Sequence, residues 1–131
     1  MKQLEVISDR RNELIDITSD LQSVVDESGI SNGLCHVYVP HTTAAVTINE
    51  SADPAVRADI IMELDKVIPH SDNYTHLEGN SAAHIKASLV GCSETILVKG
   101  GRLVLGTWQA VYFCEFDGPR ARLVILKVAE G

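Results

Sequence analysis

The chain lacks several things a 131-residue sequence can carry, and each absence narrows what it does. It has no excess of basic charge: 11 Lys and Arg stand against 18 Asp and Glu, a net charge of −7. Gripping a phosphate backbone by broad electrostatics needs a basic face, so nucleic acid is not an expected partner. No segment approaches the eighteen or so apolar residues a membrane-crossing helix needs, and Met1-Lys2-Gln3-Leu4-Glu5-Val6 lacks the apolar run of a signal peptide. A cytoplasmic protein without membrane partners is expected. Cys35, Cys92 and Cys114 are odd in number, far apart and without a C-x-x-C pair, which excludes a disulfide framework and a zinc ribbon and predicts buried, reduced thiols. There is no internal repeat, no low-complexity tract, no glycine-rich phosphate loop and no polar linker. Residues 1–131 therefore read as one domain, long enough to bury a core unaided.

What is present is β-rich. Leu4 to Ser8 and Glu13 to Ile17 alternate in polarity around Asp9-Arg10-Arg11-Asn12, which predicts a hairpin. Thr18 is placed to cap a helix whose apolar face holds Leu21, Val24 and Val25 and which stops at Gly29. Leu34–Val39 and Thr43–Asn49 are uncharged apart from histidine, as expected of strands covered on both faces or lining a cavity. Asp53-Pro54 opens a second helix, with Val56, Ile60, Leu64 and Val67 at helical spacing until Pro69. After the polar stretch His70–Gly79, Asn80 is placed to cap a third helix running to Val90 and closed by Gly91.

Beyond it, Gly100-Gly101 and Asp117-Gly118-Pro119-Arg120 each lie between two strand-like runs and signal hairpins. On the Trp108–Phe116 strand, Trp108, Ala110, Tyr112, Cys114 and Phe116 take one face, and Gln109, Val111, Phe113 and Glu115 the other. The fold class that follows is α+β: mostly antiparallel sheets with about three helices.

Three histidines stand out. His41 lies between two strands, His76 in the polar loop, and His84 on the third helix, on the same face as Asn80 and Ser88. Three imidazoles with an open fourth position form a catalytic metal arrangement; the competing reading is unrelated surface or capping histidines. Among the acids, Glu50 and Asp53 sit at a strand-to-helix junction, where a carboxylate can serve as a general base, although for Asp53 alone the helix-cap reading comes first. Glu115 is either a site carboxylate or a solvated or cross-strand paired charge. Lys86 near the start of the third helix, with the amides around Asn80, suits a phosphate; an ordinary surface lysine is the alternative. Trp108 suits ring stacking or core packing, and Arg120 either forks onto a phosphate or pairs with Asp117.

His41-Thr42-Thr43-Ala44, Asn49-Glu50, Tyr74-x-His76, Asn80-x-x-Ala83-His84-x-Lys86, Gly106-Thr107-Trp108-Gln109 and Glu115-Phe116-Asp117-Gly118-Pro119-Arg120 follow one another in an order that resembles the YjbQ family over practically the whole chain. The resemblance implies a homotrimer with these motifs gathered in a pocket near a subunit boundary. It implies a divalent metal on His41, His76 and His84, zinc first, with magnesium an option for a pyrophosphate substrate. Glu50, Asp53 and Glu115 are then the catalytic candidates, and Thr42, Thr43, Asn49, Asn80, Lys86, Trp108, Gln109 and Arg120 the substrate contacts. The activity implied is that of a weak thiamine-phosphate synthase, joining a hydroxymethylpyrimidine diphosphate to a thiazole phosphate. A non-catalytic trimer that binds a small anion or metabolite is the rival reading.

Overall fold

Strand β7 (Gln109–Glu115) organises the molecule, because its two faces belong to two different cores. In the computed structural model, which describes all 131 residues, Val111 and Phe113 enter one core while Ala110, Tyr112 and Cys114, followed by Phe116, enter another. This is the alternation expected from the sequence, with a buried partner layer on each side.

The remaining elements are β1 (Lys2–Ile7), β2 (Glu13–Asp16), α1 (Thr18–Ser28), β3 (Asn32–Tyr38), β4 (Ala44–Glu50), α2 (Pro54–Val67), α3 (Ser81–Val90), β5 (Ser93–Lys99), β6 (Arg102–Leu103) and β8 (Ala121–Glu130). They form a five-stranded sheet in the order β1-β8-β3-β5-β6 and a three-stranded sheet in the order β2-β7-β4, antiparallel throughout. The larger core lies between the two sheets and α1, whose Leu21, Val24 and Val25 point inward as predicted. The smaller core lies between the far face of the three-stranded sheet and the helices α2 and α3, where Ala83 and Ala87 let α3 approach closely. The α+β class and the three helices are as expected.

Both predicted hairpins that flank long polar turns are corrected. β1 pairs with β8 and β2 with β7, so Ser8–Asn12 carries the chain from one sheet to the other; Asp117–Arg120 does the same between β7 and β8. The two connections run side by side. Ser8 N donates to Arg120 O at 3.0 Å and Gly118 N to Arg11 O at 3.1 Å. A Cβ on Gly118 would lie 2.2 Å from Arg10 O, so only glycine permits this approach. The turn signals were real, but a turn residue specifies a reversal and not the sheet that receives it. The Gly100-Gly101 hairpin between β5 and β6 does form.

Other local expectations divide in the same way. Asp53 Oδ1 accepts from Ala55 N at 2.9 Å, capping α2 above Pro54. Thr18 does not cap α1; its hydroxyl accepts from Val111 N at 2.9 Å, tying the helix start to β7. β3 is covered on one face only, with His36 and Tyr38 on the open side. Cys35 and Cys114 are buried, whereas Cys92 is exposed just past α3.

Candidate functional site

The polar loop after α2 is pinned at its start by Tyr74, whose hydroxyl donates to Pro69 O at 2.6 Å. That leaves His76 facing the outer side of α3, where His84 stands. The two rings meet edge to face, with centroids 5.5 Å apart and planes at 87°. They border a cleft of about 520 Å³ whose lining includes Asn73, Thr75 and Ser81. The exposed Glu78 carboxylate is 3.7 Å from His76 Nε2.

His84 also lines a second cleft of about 380 Å³, between α3 and the β3–β4 connection, together with His41, Thr42, Ser88 and Cys92. This cleft is held shut at its base by Val39 N donating to Cys92 O at 2.8 Å and Val46 N to Gly91 O at 3.1 Å. His41 Nε2 lies 2.9 Å from Leu123 N, which donates to it, and 3.1 Å from Leu123 O. The register of β3 on β8 pairs Tyr38 with Ile125, and two residues further it sets Pro40 against Leu123. Proline has no N–H to offer, so the imidazole of the next residue fills that place in the ladder. Burial holds His41 below the ordinary histidine value, as do the charges of Arg122 and Arg120; the Leu123 bond and the charge of Glu115 pull the other way.

Within the chain, no three His, Cys, Asp or Glu side chains are grouped closely enough to hold a metal ion. His76 and His84 come together, but His41 does not join them around a common point. Two imidazoles fit two positions of a divalent ion, and a third protein donor is not supplied by this chain.

The sequence candidates around Glu115 take different roles from those expected. Glu115 is fully buried and its carboxylate is consumed: Ser8 Oγ donates to it at 2.7 Å, Asp117 N at 3.0 Å and Arg122 Nε at 2.9 Å, with Arg122 Nη2 also paired. Burial pushes this carboxyl up, yet the bonds from Arg122, Ser8 and Asp117 and the Arg122 charge together hold it below the usual carboxylate range. It is therefore neither a free base nor a solvated charge. Arg122 Nη2 donates to Thr43 Oγ1 at 2.8 Å, so Thr43 is occupied as well. Sequence reasoning passed over Arg122. The signal was available: a carboxylate on an inward strand face needs a cation on the facing sheet.

Lys86 is corrected in both of its readings. It is only 3 % exposed, pairs with Asp65, reaches Asn12 Oδ1 at 3.3 Å and lies 5.9 Å from the Phe116 ring centre. It joins α3, α2 and the β1–β2 connection, and does not face a substrate. Asn80 sits at the head of α3 without capping it; its Nδ2 donates to Asp117 Oδ2 at 2.9 Å and its Oδ1 is buried without a partner. Arg120 pairs with the same Asp117 oxygen at 3.0 Å, the structural alternative foreseen for it.

Glu50, Asp53, Asn49, Trp108 and Gln109 lie elsewhere. β4 runs from Ala44, opposite Glu115, to Glu50, opposite Gln109, so these residues stand at its far end from His41, roughly 20 Å along a seven-residue strand. Within one chain Glu50 and Asp53 therefore cannot serve the imidazoles. At that end Trp108 is 64 % exposed, Gln109 Oε1 accepts from Gly106 N at 2.7 Å, and Glu50 N donates to Asn49 Oδ1 at 2.7 Å. Arg57, which sequence reasoning did not single out, stacks 4.9 Å over the Tyr112 ring and leaves its Nε buried without a partner.

Comparison with known proteins gives one consistent answer. A family model described as UPF0047 protein YjbQ-like matches residues 2–131. The chain is 54% identical over 124 residues to the UPF0047 protein MJ1081 of Methanocaldococcus jannaschii, covering 95% of this chain and 90% of that one. It is 48% identical over 129 residues to YugU of Bacillus subtilis, covering 98% of each. A crystal structure of a YjbQ/UPF0047 protein from Clostridium acetobutylicum superposes with a TM-score of 0.97 at 51% identity, over 98% of this chain and 100% of that one. A YbjQ-like protein of unknown function from Sulfolobus solfataricus superposes at 0.95 with 33% identity, over 99% of this chain and 96% of that one.

Proposed function

This chain belongs to the UPF0047 YjbQ-like family, and on that premise we propose that it is a small cytoplasmic enzyme that binds phosphorylated metabolites at the junction of the two imidazole-lined clefts, with weak thiamine-phosphate synthase activity. The observation that carries this reading is that His84 borders both clefts, meets His76 in one and shares the other with His41; no carboxylate lines the His41 cleft, and the exposed Glu78 is the acid beside the other. A phosphate group is repelled by carboxylates and accepted by imidazole N–H groups and hydroxyls. In a chain of net charge −7, a cleft free of acid, as the one between His41 and His84 is, is the place for it.

His76 and His84 would hold a divalent ion, zinc first, with magnesium an option for a pyrophosphate substrate; when bound it would supply positive charge against departing pyrophosphate. Thr42 offers an exposed hydroxyl to the same ligand. Self-association as a homotrimer belongs to the proposal. Trp108 and Glu50 stand roughly 20 Å from His41 in one chain, so a site with a stacking ring and a base beside the imidazoles needs a second copy.

The test is metal content by mass spectrometry, with product analysis on the two heterocyclic phosphates. The proposal expects bound metal and slow product, both lost in His84→Ala. Product formed at undiminished rate by His84→Ala would overturn it.

A second reading is favoured by one specific observation: with Glu115 buried in an ion pair and Glu50 and Asp53 far away, none of the three candidate carboxylates reaches the clefts, and the His41 cleft has no acid in its lining. A non-catalytic anion-binding module then predicts saturable phosphate binding without product.

A further inference from the structure

The imidazole of His41 reaches the β8 backbone through Nε2, and that one atom faces both Leu123 N–H and Leu123 C=O. Only one of the two can be satisfied by a neutral ring. If Nε2 carried the proton, its N–H would point at the Leu123 N–H 2.9 Å away, leaving that donor unpaired. If Nε2 is the lone pair, the donor is satisfied and the carbonyl is the group left short. Orphaned buried N–H groups are rarer in folded proteins than under-satisfied carbonyls, so the second arrangement is preferred. The ring proton then sits on Nδ1.

From this we propose that His41 is a hydrogen-bond donor to an oxyanion, presenting Nδ1–H to the cleft it shares with Thr42, His84, Ser88 and Cys92, and is not a metal ligand. A metal needs the lone pair, and Leu123 N–H already takes it. Two further observations agree. No third donor approaches His76 and His84 closely enough to complete a metal group. No carboxylate lines this cleft, and the nearby guanidinium groups of Arg122 and Arg120 are paired with Glu115 and Asp117, so no unpaired acid stands against an anion there. A neutral imidazole used as a donor and not as a cation keeps its role across a wide pH range. The ligand class follows: the oxygens of a phosphate group, held by Nδ1–H and by the hydroxyl of Thr42. For its ligand this deepens the phosphate reading above and rests on it; the position of the proton does not.

The experiment is long-range ¹H–¹⁵N correlation spectroscopy on the ¹⁵N-labelled full chain, first alone, then with inorganic phosphate, then with Zn²⁺. The expected result is a His41 ring protonated at Nδ1, shifted by phosphate, and left unmoved while Zn²⁺ shifts His76 and His84. A His41 ring protonated at Nε2, or one that moves with Zn²⁺ like the other two, overturns the assignment. Variants add a second measure. His41→Asn places an amide N–H near the Nδ1 position and is expected to hold phosphate within about threefold of the parent, while His41→Ala loses about tenfold or more. Equal loss in both variants counts against the donor role. The spectrum of the unliganded protein needs neither metal nor turnover, so it can fail while the enzymatic proposal stands, and the converse.

Discussion

Glu115 on β7 and Arg122 on β8 form an ion pair that bridges the two sheets inside the protein, with both side chains almost wholly removed from water. Arg122 continues to Thr43 and is followed by Leu123, the partner of His41; Asp117, two residues past Glu115, holds Asn80 at the head of α3. One buried pair thus braces both walls of the His41 cleft.

Removing one partner leaves the other charged in a dry interior. Glu115→Ala is expected to destabilise the fold by roughly 3–5 kcal/mol, measured by urea unfolding at neutral pH. Because the folded carboxyl lies below its unfolded value of 4.5, this stabilisation is complete above that pH and is lost as pH falls through the folded value. A Glu115→Gln protein should therefore show less acid dependence between neutral pH and pH 3 than the parent; identical acid profiles would refute the pair's contribution.

The Lys86 and Asp65 pair predicts an asymmetry. Lys86 is buried and Asp65 is about half exposed, so Asp65→Ala strands an ammonium in the core, whereas Lys86→Met replaces it with an apolar chain of similar length. The first is expected to cost roughly 3–5 kcal/mol and the second less than about 1.5 kcal/mol. Phosphate affinity should be unchanged in Lys86→Met, since the ammonium does not reach either cleft; a loss of binding in a folded Lys86→Met protein would return Lys86 to the site.

The three thiols should separate by reactivity. Burial pushes Cys35 up to about 11 and Cys114 up to about 12, while Cys92 is exposed beside the His41 cleft. A thiol reagent at neutral pH is expected to modify one cysteine per native chain, identified as Cys92 by peptide mapping, and three after denaturation. Since the buried thiols resist ionising, the unfolded chain gives up protons more readily above its thiol value of 9.0, so the native state should lose stability as pH rises past that point. Flat stability up to pH 10 would contradict this.

Gly118 permits the two sheet-changing connections to touch. Gly118→Ala puts a Cβ 2.2 Å from Arg10 O and 2.6 Å from Ser8 Oγ, the latter fixed by its bonds with Arg120 and Glu115. A loss of about 1–3 kcal/mol in thermal or urea unfolding is expected, with weaker His41 positioning as a secondary effect. Parent-like stability would show that the two connections separate freely.

Local chemistry was legible in the chain itself. The α2 start at Asp53-Pro54, the inward faces of α1 and α3, the Gly100-Gly101 hairpin and the two-sided burial of β7 all follow from residues within a few positions of one another. The approach of His76 to His84 was foreshadowed too, since a short loop returns to the helix face on which His84 must sit.

What the sequence alone determined, then, was the kind of each element, its buried side, the α+β class and the family, because these depend on side-chain period, turn residues and motif order. Only the tertiary structure decided which sheet receives each strand, that Glu115 and Lys86 are buried and paired, that His41 spends Nε2 on the β8 backbone, and that Glu50 and Trp108 stand at the opposite end of β4. Those outcomes rest on contacts between segments up to about a hundred residues apart, and no local spacing encodes whether a charge finds its partner across a core or faces a ligand.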